Sequence, residues 1–410
     1  MNCYFLPFAT TRASRLSPGD RIAAFPMNSL PSSTPRALAL ATLLLALVPR
    51  GRAENGISYK YADYQEAGGR IEVQTQGAYL EGDVGLATKV KVEGILDSIA
   101  GATPNGQPAP AGSTQVPLSS LTEERKAWNA EFSHQLKWVH LAAGVGNSRE
   151  SDYISTGLSL NTTFDFNQKN TTLLVGFAGT KDDIKVFHQT AWARKDTRDV
   201  IIGVNQLLDP NTSVGLNLTW GRQLGYLSDP YKLVQKNTEV FPGLFLPLTF
   251  SENRPAEREK WIALATLNRA FPERRAAVDL AYRYYHDTYN TNAHTVDVAW
   301  LQRCGEKFIL RPSFRFYRQS AAFFYRYTLD GTNITPLGGP PRRVGPFYSS
   351  DYRLSAMQTF TYGLKAIFQP HERVTLDAAF EKYDMRGRDV TPDSAYCEAN
   401  IVTVGLKYSW

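Results

Sequence analysis

Residues 402–410 read VTVGLKYSW, and the reading of that stretch decides the fold. Val402, Val404, Leu406, Tyr408 and Trp410 alternate without a break with Thr403, Gly405, Lys407 and Ser409. Successive side chains of a strand point to opposite faces, so one face here suits hydrocarbon and the other suits water. That is the period of a strand crossing a bilayer inside a closed barrel. An edge strand of a soluble sheet gives the same alternation, so the rest of the chain has to discriminate.

The period recurs upstream. Val214, Leu216, Leu218 and Trp220 oppose Ser213, Gly215, Asn217 and Thr219; Val278, Leu280, Tyr282 and Tyr284 oppose Asp279, Ala281, Arg283 and Tyr285. Val374, Leu376, Ala378 and Phe380 oppose Thr375, Asp377, Ala379 and Glu381, and Phe308, Leu310, Phe314 and Phe316 oppose Arg311, Ser313 and Arg315. No helical period persists over three turns. The breaks predict an all-β, transmembrane, antiparallel up-and-down β-barrel of about 16 strands. They fall near 57–64, 70–80, 85–97, 126–136, 139–147, 152–165, 171–179, 198–208, 211–222, 257–268, 274–286, 292–303, 307–329, 351–367, 372–385 and 398–410.

Such barrels keep short turns on the periplasmic side and long loops outside. Counted back from residue 410, the outer connections are 386–397, 330–350, 287–291, 223–256, 180–197, 148–151, 98–125 and 65–69, and the long ones all share a side. Reading 307–329 as one strand keeps that parity; a break at Gln319–Ser320 would upset it. Residues 100–112 (AGATPNGQPAPAG) and 336–346 (PLGGPPRRVGP) concentrate Gly and Pro, as exposed loops do. Aromatics near strand ends, among them Tyr59, Tyr61, Tyr64, Trp128, Trp138, Tyr153, Phe164, Phe166, Trp220, Trp261 and Trp300, suit an interfacial girdle.

The net charge of +6 resides mostly in residues 1–53, where Arg12, Arg15, Arg21, Arg36, Arg50 and Arg52 face only Asp20. The remainder carries +1, which gives no support to nucleic-acid binding. Residues 37–48 (ALALATLLLALV) are too short to span a bilayer and suit the apolar core of a secretory signal, with cleavage expected after Ala53. Met27 is a natural start for that signal, so residues 1–26 stand upstream of it. The mature unit is then 54–410. With Cys3 in the leader, only Cys304 and Cys397 remain, too few for a disulfide-stapled fold.

No catalytic or metal motif stands out, and no cofactor is expected. The six histidines are scattered, without HExxH or paired ligand spacing. Asp182 and Asp183, on a predicted outer loop, fall short of the oxygens that Ca²⁺ takes. What carries a mechanism is the polar face of the strands, with Lys89, Lys91, Glu93, Asp279, Arg283, Asp297, Arg311, Arg315, Arg353, Lys365, Asp377, Glu381 and Lys407. A Lys or Arg facing lipid at the midplane costs about 2–4 kcal/mol, so these residues are expected to line a lumen. Both signs are present, which disfavours strong ion selectivity.

Residues 100–104 (AGATP), 150–153 (ESDY) and above all 165–173 (DFNQKNTTL), with 59–71 (YKYADYQEAGGRI), resemble the uncharacterised bacterial outer-membrane barrel family catalogued as domain of unknown function 3570. Val402, Val404, Leu406, Tyr408 and Trp410 resemble the C-terminal assembly signal of such barrels. The resemblance implies the bacterial outer membrane, its lipid, and the barrel-assembly machinery as partners, and no established activity. The charged lumen makes a non-enzymatic, passive porin-like channel the leading expectation. Family context implies an alternative, a scaffold or sheath for a periplasmic flavin- or haem-dependent redox partner. A third reading, an outer-membrane lipid hydrolase, would draw on Ser133, His134, His140 and Ser148.

Overall fold

The structure is a computed structural model that describes residues 55–186 and 191–410. The leader and its expected cleavage at Ala53 lie outside the described residues. Among these, strands β1 (Gly56–Glu66), β2 (Glu72–Asp83), β3 (Thr88–Pro104), β4 (Leu118–Gln135), β5 (Val139–Arg149), β6 (Tyr153–Phe166), β7 (Thr171–Ile184), β8 (Ala193–Asp209) and β9 (Thr212–Gly225) form one half of a wall. A separate hairpin, β10 (Leu233–Phe241) and β11 (Leu244–Ser251), follows. The wall resumes with β12 (Glu257–Phe271), β13 (Ala276–Asp287), β14 (Asn292–Cys304), β15 (Phe308–Gln319), β16 (Met357–His371), β17 (Val374–Gly387) and β18 (Glu398–Ser409). Each strand pairs antiparallel with its neighbours, and β1 pairs β18 from Gly56–Ser409 to Glu66–Ala399, which closes a barrel of 16 strands.

Partners across an antiparallel ladder point to the same face, so one strand orients all the others. On β18, Val402, Val404, Leu406 and Tyr408 are 43%, 45%, 47% and 38% exposed and point outward, while Thr403, Gly405 and Lys407 are shielded and point inward. Following the register, the outer face carries Leu376–Leu406, Leu364–Phe380, Phe314–Tyr362, Leu280–Val298, Leu218–Ala263 and Ile202–Leu218. Aromatic pairs border this band near the inner turns, with Phe308 stacked on Phe368 at 4.5 Å and Phe271 on Trp300 at 5.7 Å. Towards the other end the outer face turns ionic, as in Lys382–Glu398 at 2.6 Å and Arg222–Glu257 at 2.5 Å. The strands therefore extend past the apolar band into a polar rim. Two of the aromatics expected in a girdle, Tyr64 and Tyr153, belong to the inner face of that rim instead.

Every strand expected from periodicity is present, with two corrections. The stretch 307–329 is not one strand: β15 ends at Gln319, and residues 320–356 form a single long connection. Its aromatics pack rather than pleat, because Phe324 and Tyr325 are buried with Leu227, Tyr289 and Leu354. Parity survives, since the connection simply begins earlier. The strand expected over 351–367 starts at Met357; before it, the Asp351 carboxylate accepts the Arg353 N–H and caps a short 3₁₀ turn, Tyr352–Leu354. Arg353, expected on the wall, is on that turn. Strands β3 and β4 also run further than expected, which shortens their connection to 105–117.

At Gly225 the chain leaves β9 with φ near +117°, and a Cβ there would stand 2.2 Å from the Arg194 carbonyl oxygen. Only glycine fits that bend. It directs the following residues across the mouth of the barrel.

Candidate functional site

The inner face divides into two arcs. From β5 to β9 it is largely neutral, with Ser155, Ser159, Asn161, Thr163, Thr180, Asn205, Asn217 and Thr219 among small residues. Glycine lets the amides lie flat on the wall: a Cβ on Gly176 would stand 2.4 Å from Asn161 Oδ1, and one on Gly203 2.0 Å from Asn217 Oδ1.

The other arc is charged. Of the thirteen charged residues read from the sequence, the register places Lys89, Lys91 and Glu93 of β3, Asp279 and Arg283 of β13, Asp297 of β14, Arg311 and Arg315 of β15, Lys365 of β16, Asp377 and Glu381 of β17 and Lys407 of β18 on the inner face. Many are brought into cross-strand ion pairs, including Lys91–Glu131 at 2.8 Å, Lys365–Asp377 at 3.5 Å and a close Arg315–Asp297 contact. Asp182 is on this face too, in β7 rather than a loop, and pairs with Lys195 at 2.8 Å. Paired charges of opposite sign leave little net field along the wall.

Loops cross the outer mouth above this lumen. Residues 226–232 reach from β9 to the far side, where the Leu233 N–H donates to the Asn105 carbonyl at 2.7 Å and Lys232 Nζ donates to the Pro104 carbonyl. The Tyr231 hydroxyl donates to Asp152, beside β6. Further seams tie Ser394 Oγ to the Thr114 carbonyl at 2.6 Å and the Ala109 N–H to the Tyr327 hydroxyl at 3.1 Å. Connections from four places on the rim thus form one cap.

Its centre is a knot of six charges. Arg254 Nη2 lies 2.8 Å from Asp351 Oδ2 and 2.9 Å from Glu252 Oε2; Arg353 Nη2 lies 2.6 Å from Asp351 and 2.5 Å from Asp229. Lys232 completes it, and three acids balance three bases. Glu252 is fully buried and Asp351 nearly so; Ser349 Oγ donates to Glu252 at 2.5 Å. Burial pushes the Asp351 carboxyl up, but Arg353 and Arg254 outweigh it and hold the group below the usual carboxylate range. At Glu252 burial wins and the carboxyl is raised. Burial also lowers the Lys232 ammonium.

These shifts set the pH response of the cap. A depressed Asp351 contributes stability that is complete above its unfolded value and is lost as pH falls through the folded one. A raised Glu252 contributes stability below its unfolded value that declines as pH rises through the folded one. Acidification from neutrality therefore first favours the cap through Glu252, and weakens it only below about pH 4, through Asp351. Amide exchange of residues 226–256 is expected to stay slow from pH 7 to that limit; acceleration near pH 6 would contradict this balance.

Between the cap and the rim is a cavity of about 290 Å³, lined by Tyr64, Tyr153, Tyr231, Tyr352, Lys232 and Arg353 with several carboxylates. Beside it Cys397 is buried against the Tyr64 hydroxyl at 3.9 Å, and burial pushes its thiol up to about 12. Cys304 is exposed and unbridged.

The cap residues Asp229, Lys232, Glu252, Arg254 and Asp351 escape sequence reading because nothing periodic marks them. The clue available was composition: charges in SDPYK (228–232), SENR (251–254) and SSDYR (349–353) sit beside Ser, Asn and Tyr, partners that can satisfy them when buried. The residues imagined for a hydrolase are not assembled. Ser133 points inward and donates to the Lys89 carbonyl, whereas His134 points outward with Nδ1 2.8 Å from Thr88 Oγ1. His140 is inward but lies at the opposite end of β5 from Ser148.

A family model described as "Protein of unknown function (DUF3570)" matches residues 29–197 and 185–396. No curated protein matches the chain. Solved structures with similar architecture include the siderophore receptor PirA from Acinetobacter baumannii, at 11% identity and TM-score 0.39, with 82% of this chain covering 54% of that one. A bacterial polysaccharide outer membrane secretin is 9% identical with TM-score 0.47, over 88% of this chain and 100% of that one. The CymD monoaromatic hydrocarbon channel is 10% identical with TM-score 0.40, over 92% of each. The chain spans roughly half of the receptor's length.

Proposed function

The chain belongs to the family described as protein of unknown function (DUF3570), and from that premise we propose that it is a passive, porin-like channel of the bacterial outer membrane with a mixed-charge lumen. The observation that carries this reading is the two-faced wall. A continuous apolar band outside matches hydrocarbon, and polar and ionic groups fill the inner face, where barrels of this strand number leave an aqueous space. The cross-strand ion pairs mean that neither cations nor anions are excluded by net charge. The capped end, bearing the long connections and the polar rim, is the extracellular one in this reading. The cap narrows entry there.

Purified protein reconstituted in planar bilayers is expected to give discrete conductance steps of weak ion selectivity. Absence of conductance both from the intact protein and from a variant with a released cap would overturn the channel reading. Protease treatment of intact cells tests the location: cleavage within 105–117 or 320–356 supports it, and protection of both until the outer membrane is broken counts against it.

A further inference from the structure

At the capped end of the outer wall, just beyond the apolar band, several cations are matched by acids. Lys382 is held by Glu398 at 2.6 Å, Arg386 by Asp384 at 2.5 Å and Arg222 by Glu257 at 2.5 Å. Arg318 is different. It is the last outward residue of β15, is exposed, and makes no ion pair or hydrogen bond with the described residues. Arg149, Lys181 and Arg198 also lack a carboxylate within salt-bridge distance among those residues, but their settings differ. Arg149 stands between Lys126 and Ile154, Lys181 faces Asp196, and Arg198 faces Arg222.

Arg318 stands between His294 of β14 and Gln358 of β16. The Gln358 amide has no hydrogen bond among the described residues either, and His294 engages only through Nδ1, 2.8 Å from the Tyr282 hydroxyl. Its Nε2 is left over. Three unused donor groups therefore share one row across adjacent strands, a span of about 10 Å at the usual strand spacing. Asp384, the acid beside Phe360 on this face, is already taken by Arg386, whose guanidinium also lies 5.5 Å over the Phe360 ring. Immediately below the donors, Val296, Phe316 and Phe360 begin the apolar band, with the two phenylalanine rings 5.3 Å apart. Phe314 and Tyr362, also 5.3 Å apart, continue it. Donors set directly above an aromatic stretch match an amphiphile with an oxyanion at one end and hydrocarbon below it.

We propose that His294, Arg318 and Gln358 hold the phosphate of a phosphorylated lipid in the leaflet on the capped side, with its acyl chains over Phe316 and Phe360. The guanidinium offers a planar fork to two oxygens, and the imidazole and amide add a single donor on either side. The row opens onto the lipid-facing side of the wall, not the lumen, and a soluble anion would leave its aromatic half without a partner. Basic groups at a membrane surface attract anionic headgroups in the same way. The proposal goes beyond the channel reading and shares with it only the two-faced wall.

The test uses the purified full chain in detergent, titrated with lipid A, a phosphorylated glycolipid, and with its dephosphorylated form, with bound lipid counted by native mass spectrometry. Saturable binding of lipid A is expected, about tenfold tighter than that of the dephosphorylated form, and Arg318→Gln should remove most of this difference, the effect of losing one charge-assisted hydrogen bond. Arg318→Lys should recover part of the loss. Arg149→Gln, which removes a rim cation outside the row, should leave binding unchanged. Heat-modifiable migration on gels verifies that each variant is folded, and His294→Leu with Gln358→Leu replaces Arg318→Gln should the latter fail to assemble. Lipid binding without conductance in planar bilayers would refute the channel while leaving the lipid site standing. Equal binding of the two lipids, no saturable binding of lipid A, or a folded Arg318→Gln that behaves like Arg149→Gln would overturn the site.

Discussion

Replacing Arg254 by methionine is expected to release the cap while the barrel stays closed. The guanidinium serves Glu252 and Asp351 at once, and both are buried. Asp351 keeps Arg353, but Glu252 loses the guanidinium bonded to it and is left with Ser349 and a backbone donor. Stranding one member of a buried pair costs about 3–5 kcal/mol, which works against the apolar clusters of the cap around Tyr289 and Phe324 and around Leu329 and Tyr348. Faster amide exchange over 226–256 and 320–356, and a higher mean conductance in bilayers, are the expected readings. Removing both partners, as Arg254→Met with Glu252→Met, should cost less than the single change, because no buried charge is then left alone. Equal exchange rates in the wild type and the single variant would show that the knot does not hold the cap.

The second large effect belongs to the outer face. Leu218 is 55% exposed, in the middle of the apolar band, between Ile202 and Ala263. Leu218→Arg is expected to lower stability in lipid by about 2–4 kcal/mol. Thr219→Arg, one residue along and on the inner face, should cost far less. Urea unfolding in vesicles compares the two. Equal losses would mean that the two faces do not meet different solvents.

That contrast explains what could be read in advance. Alternation reports which solvent a face meets, so all sixteen wall strands could be placed from residues alone. The cap has no such reporter. Residues 320–329 are as rich in aromatics as any strand, and on hydrophobicity they continue β15. The chain leaves the wall at Ser320 because the Ala322 N–H finds the Leu354 carbonyl and the Phe323 N–H finds the Tyr289 carbonyl. Those partners are remote in sequence. Arg353 fell on the expected polar face for the same reason: a residue two positions from a buried aspartate looks, in sequence, like the inward position of a strand. The hairpin β10–β11 was hidden inside a loop defined only by the strands on either side of it.

The pairing of β1 with β18 also sets the order of events in folding. Tyr59 lies opposite Leu406 and Tyr61 opposite Val404, contacts between residues nearly a whole chain apart. Every other seam of the wall can form between neighbours as the chain emerges; this one waits for the last strand. Until it forms, the sheet has two bare edges whose amides and carbonyls lipid cannot satisfy. Of all the seams in the wall, this one joins residues furthest apart in the chain and so carries the largest loop-closure entropy. A chain arrested at that step is an open sheet, most exposed to wrong partners at Gly56–Glu66 and Glu398–Ser409.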